Sequence, residues 1–152
     1  VRNPIREKEF LELNFPGIYR ATVIDNTSTD GSVKVLVHPM MNGISESDLP
    51  WAVPAMPVAL ANSGIYGLPA VDSTVWVFFD GGDLYSPVYF AGAPCGSDWP
   101  STVVDGTLLI TTPSGQVIKL KEDEGLTIEV TGDVNVTATG NVNVSGALIN
   151  LN

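Results

Sequence analysis

The sequence predicts an all-β protein in two parts, a small five-stranded Greek-key barrel followed by short strands that cannot fold alone. Three observations carry this reading. Apolar residues alternate with polar ones between clusters of turn residues, which is the period of half-buried strands, and helical periodicity is nearly absent. The 152 residues include 15 Gly and 11 Pro, enough to punctuate strands along the whole chain. The last third then changes texture into short alternating segments with an eight-residue repeat.

Composition narrows the class further. Seventeen carboxylates against seven Lys and Arg give a net charge of −10. That is a poor surface for gripping phosphate backbones, whose affinity comes largely from counterion release by cations. Hydrophobic residues make up 44%, which argues against disorder. No apolar run approaches the roughly 20 residues that span a bilayer. The opening "VRNPIREKEF" lacks the apolar core of a secretory leader, so none is expected. Cys95 is the single cysteine, so no intrachain disulfide forms, and its turn-rich setting "GAPCGSDWP" marks it as a small inert residue.

Residues 1–16 read as a polar arm in which Arg2, Arg6 and Lys8 stand beside Glu7, Glu9 and Glu12. Residues 17–93 carry the barrel. "GIYRATVID" and "SVKVLVHP" flank the turn "NTSTDG" and form a hairpin. Pro50, Pro54 and Pro57 then keep the next segment out of helix. "STVWVFFD" is the strongest strand, and "YSPVYFAG" returns antiparallel after "GGD". A weaker strand near "PVALAN" completes five. Residues 94–106 are a linker, and 107–152 form the tail.

The tail ends in "TGDVNVTATGNVNVSGALINLN", where Asp133 is the one charged side chain. "GDVNVTAT" and "GNVNVSGA" are two copies of one octamer. Ordering each residue costs about 1–2 kcal/mol of backbone entropy. Full burial of each alternate apolar side chain returns at most ~1.5–3 kcal/mol. A lone ribbon cannot bury that face on itself. Three chains wrapped together can, with Val134, Val136, Val142, Val144, Ile149 and Leu151 directed at a shared axis. Sister chains then occupy the strand edges, which explains why those edges need no charges.

The order of segments resembles the OB-fold domain of the central spike of contractile phage tails and of the VgrG spike of type VI secretion. The residues carrying the likeness are Tyr19 to Val23, Leu49-Pro50-Trp51-Ala52, Pro69-Ala70-Val71, Val75-Trp76-Val77, Asp80 to Asp83, Pro87-Val88 and Gly92. "TTPSGQVIKLKEDEGLTIEV" is similar to the start of the triple-stranded β-helix in those proteins. The resemblance implies an N-terminal OB-fold barrel followed by an intertwined trimeric β-helix. It implies a non-enzymatic homotrimer in a virion baseplate or related injection particle, assembled in the bacterial cytoplasm. Such a spike caps the tail tube, joins a tail hub at its OB end, and pierces the outer envelope when the sheath contracts. Some relatives insert a lysozyme domain, for which residues 94–106 are too short. Others bind iron through a His-x-His pair, which this tail lacks. No cofactor or metal is therefore expected. Gly146, Ala147, Leu148, Ile149, Asn150, Leu151 and Asn152 are expected to seat a separate PAAR-type tip protein instead.

Other chemistry is less well supported by the residues. His38 precedes Pro39 at a strand end without converging partners, so a polar surface role is expected. Asp80 and Asp83 flank two glycines and read as a turn rather than calcium ligands. Glu122, Asp123 and Glu124 read as a solvated corner rather than a glycosidase pair. Trp51, Trp76 and Trp99 are expected in packing, because an aromatic platform for single strands would be ringed by cations. The alternative functions are an OB-fold nucleic-acid-binding module and a β-helical polysaccharide-degrading enzyme. The charge opposes the first, and a short, carboxylate-poor tail opposes the second.

Overall fold

The computed structural model describes residues 15–61 and 63–150, and the chain divides into two compact units between Asp98 and Trp99. In the first unit, β1 (Ile18–Asp25), β2 (Val33–Leu36), β3 (Trp51–Pro54), β6 (Thr74–Phe79) and β7 (Pro87–Gly92) build a closed barrel. Its strand order is β1-β2-β3-β7-β6, returning to β1. All neighbours are antiparallel except β3 and β7, which run parallel and pair Val53 with Val88. Closure leaves this sheet without free edges.

The alternation in sequence decides which side chains enter the barrel. Ala21 and Val23 from β1, Val33 and Val35 from β2, and Val75, Val77 and Phe79 from β6 point inward, buried, while their neighbours face out. Met41 and Leu49 close the core from the connection after β2. Tyr89 is the one large polar-tipped side chain inside, and its hydroxyl donates to the Gly31 carbonyl at 2.8 Å. Burial and nearby Asp30 push that phenol's pKa up. Of the arm expected over residues 1–16, residues 1–14 lie outside the described structure. Phe15 sits against Phe79, ring centroids 6.0 Å apart, and its N–H donates to the Gly82 carbonyl.

The fifth barrel strand differs from the expectation. It is β3, in "WAVP", whereas "PVALAN" supplies β4 (Ala59–Leu60) of a separate two-stranded hairpin with β5 (Ser63–Gly64). The barrel wall has room for a small side chain there, and Ala52 enters it fully buried. Pro54, without an N–H, ends the strand where its ladder runs out. Residues 55–71 therefore leave the wall as an excursion between β3 and β6.

The second unit holds β8 (Thr107–Thr111), β9 (Val117–Lys121) and β10 (Gly125–Glu129) in a three-stranded antiparallel sheet. Gly115 and Gly125, at φ +90° and +76°, supply the left-handed turns that fold the chain back on itself. Over 107–129 the single chain pairs its strands with their sequence neighbours. Among the described residues from Val130 to Asn150, no strand is formed.

Candidate functional site

The register of the second unit puts six of its apolar residues on one face. Leu108 lies beside Leu120 and Leu120 beside Leu126; Ile110, Ile118 and Ile128 form the next row. These six side chains are 41–60% exposed. The opposite face carries Leu109 and Val117 beside Thr107, Lys119 and Thr127 in the alternate positions, all half-buried. At the β9–β10 turn, Glu124 pairs with Lys119 at 2.9 Å and with Lys121. Hydrogen bonds from Lys121 and then Lys119 hold its carboxyl down to about 2. The acidic corner is thus a local ion-pair network on a turn.

The same even-numbered parity runs on through Val130, Val134, Val136, Val142 and Val144. The expected axis residues Val134, Val136, Val142 and Val144 are 58–72% exposed in the single chain, and Ile149 is also exposed. Gly146, Ala147, Leu148 and Asn150 are exposed as well. Leu151 and Asn152 lie outside the described residues. Parity at the end shifts to the odd position at Ile149, so Leu148 competes for the same face. The six residues of the β8–β10 face escaped the sequence reading, although their even parity was visible.

The barrel's outer wall is apolar along one row. Ile18 on β1 opposes Phe78 on β6, Phe78 opposes Val88 on β7, and Val88 opposes Val53 on β3. Phe78 also lies 6.2 Å from Phe90. Arg20 covers Trp76 at 5.0 Å and donates to Cys95 Sγ at 2.6 Å, while Lys34 covers Trp51 at 5.3 Å. Arg20 and Lys34 are the only Lys or Arg from 15 to 98, and each is committed to a tryptophan face. A strand-binding groove would leave its cations free for phosphate. Trp51 and Trp99 are both exposed, Trp99 the more so.

The remaining candidates take structural places. His38 Nδ1 lies 2.5 Å from Asn42 Oδ1 on the surface. Asp80 to Gly82 form a 3-10 turn with both glycines at positive φ. Asp83 accepts from the Tyr85 N–H at 3.0 Å and from the Ser86 hydroxyl at 2.9 Å, bracing that turn. Among the described residues no three His, Cys, Asp or Glu side chains group as metal ligands, and no helix is long and apolar enough to cross a membrane.

Residues 19–93 match the family model of the type VI secretion system/phage-baseplate injector OB domain. The match runs from Tyr19 in β1 to just past the end of β7 and so takes in all five barrel strands but for Ile18. It supports a baseplate spike OB domain here, with a structural role in a phage baseplate or secretion spike and a tail-associated location. A comparison with curated proteins gives no match.

Proposed function

We propose that this chain is a subunit of a homotrimeric central spike. Its injector OB domain caps the tail tube against a hub protein. Its C-terminal part forms a needle that is driven through the target's outer envelope when the sheath contracts. The work is mechanical, and no bond is made or broken in the target by the spike itself.

The observation that carries the reading is the uncovered face of β8–β10. Three strands stay folded in water only when their apolar face is covered. Covering the exposed half of six Leu and Ile side chains contributes on the order of 5–9 kcal/mol per chain. That is comparable with the entire stability of an ordinary domain. Two sister sheets around a threefold axis supply that cover with the same six residues, and the even parity of the valines extends the axis toward the C-terminus. Light scattering of the purified chain should give about three times its 16.1 kDa mass. A monomer at micromolar concentration would overturn the proposal.

A further inference from the structure

The excursion between β3 and β6 is unlike the rest of the barrel. From Trp51 to Val71 there is no charged residue, although residues 15–98 hold eight carboxylates against two cations. Its hairpin holds Leu60 outward, 71% exposed. The shape is braced, because the Tyr66 hydroxyl lies 2.8 Å from the Leu60 carbonyl and 2.9 Å from the Ser63 carbonyl. Gly64 is required there, since a Cβ would stand 2.4 Å from the Val58 carbonyl. A fold that fixes a leucine in water at such specific cost in sequence has a use for it.

Beside the hairpin lies a groove of about 230 Å³ with mainly apolar walls, between Met56, Ile65 and Tyr66 of the excursion and Phe90 and Ala91 of β7. An apolar cavity of ~150 Å³ holds a benzene molecule, so this groove has room for a branched aliphatic side chain. Phe90 links it to Phe78 and so to the apolar row on the barrel wall. One copy therefore carries both a projecting apolar knob and an apolar hole.

We infer that neighbouring copies of the barrel interlock head to tail, Leu60 of one copy seated in the groove beside Phe90 of the next. Charge selects a second copy as the occupant. Two barrels this acidic repel wherever their carboxylates face, and the charge-free excursion is where they can approach. A knob-and-hole contact is heterologous, so it closes into a ring only when the rotation is fixed. The threefold needle of the proposed function fixes it, and tethering raises the effective concentration of the barrels enough for a small contact to hold. The inference rests on that trimeric reading.

The full chain with Leu60→Cys and Ala91→Cys, in a Cys95→Ser background, tests it under mild oxidation. Each copy then offers a cysteine on the knob and one in the groove. The expected result is a trimeric particle by light scattering and a reducible covalent trimer on denaturing gels. A trimeric particle that gives only monomer bands overturns the head-to-tail contact and leaves the groove to a different protein. A ladder that stops at dimer, or dimers from Leu60→Cys with Cys95→Ser alone, overturns the ring geometry. A monomeric particle for the parent chain overturns the trimeric reading itself.

Discussion

Leu120→Asp places a carboxylate at the centre of the β8–β10 face. Leu120 lies on the middle strand, between Leu108 and Leu126, and is 44% exposed in the single chain. On an uncovered face the change removes a half-solvated side chain and exposes a charge to water, which costs under about 1 kcal/mol. Around a threefold axis it acts three times. Each copy loses ~1.5–3 kcal/mol of apolar burial. Each also buries an unpaired ion beside two like charges, at several kcal/mol per ion. The total exceeds roughly 10 kcal/mol per trimer, several orders of magnitude in the association constant. The matched control is Thr127→Asp, on the opposite face and directly across from Lys119. Its new carboxylate stands beside Lys119, which already pairs with Glu124, so it should change stability by no more than about 1 kcal/mol. Sedimentation at micromolar concentration should show the Leu120→Asp chain as monomer and the Thr127→Asp chain as trimer. A Leu120→Asp trimer with unchanged melting would refute the buried face, because no covered site absorbs three unpaired carboxylates without loss.

Val142→Asp should lower the melting temperature far more than Asn143→Asp, since burial of the even-numbered face costs several kcal/mol per ion and the odd face stays wet; equal melting would show that the tail's parity is misassigned. Gly64→Ala should destabilise the excursion by at least ~1–3 kcal/mol, because φ there is +155° and the added Cβ meets a backbone carbonyl. Calorimetry checks this, and an unchanged transition would mean the hairpin is not held in this form. Acid should weaken the fold through Asp30 and Glu124, whose carboxyls are both held at about 2, by the Ser28 hydroxyl and Ser32 N–H and by the two lysines respectively. Both pKa values are depressed on folding, so the stability is present above the unfolded carboxylate range near 4 and is lost as pH falls from there toward 2. Urea midpoints measured from pH 5 to pH 2 should fall less in Asp30→Asn and Glu124→Gln than in the parent chain.

The sequence by itself determined four of the five barrel strands, the strands between 107 and 129, and the inward face of most barrel strands, but not strands in the octamer tail, where none forms among the described residues. Alternation with period two is a local property, and it survives into the structure because a one-residue slip would expose Val23, Val35 or Val77 to water. Turn chemistry was local too, as "GGD" shows. What only the tertiary structure decided is which short segment closed the barrel. "WAVP" and "PVALAN" are both brief and apolar, and the choice depended on a space that admits Ala52 and on pairing of Val53 with Val88, thirty-five residues away. Nor could periodicity separate an intrachain sheet over 107–129 from a ribbon shared with sister chains, because either arrangement satisfies the same alternation. In the single chain, positive-φ turns at Gly115 and Gly125 bring these strands together. The knob at Leu60 and the groove beside Phe90 were invisible in sequence for a related reason: they are made by residues about thirty positions apart, and only the closed wall brings them together.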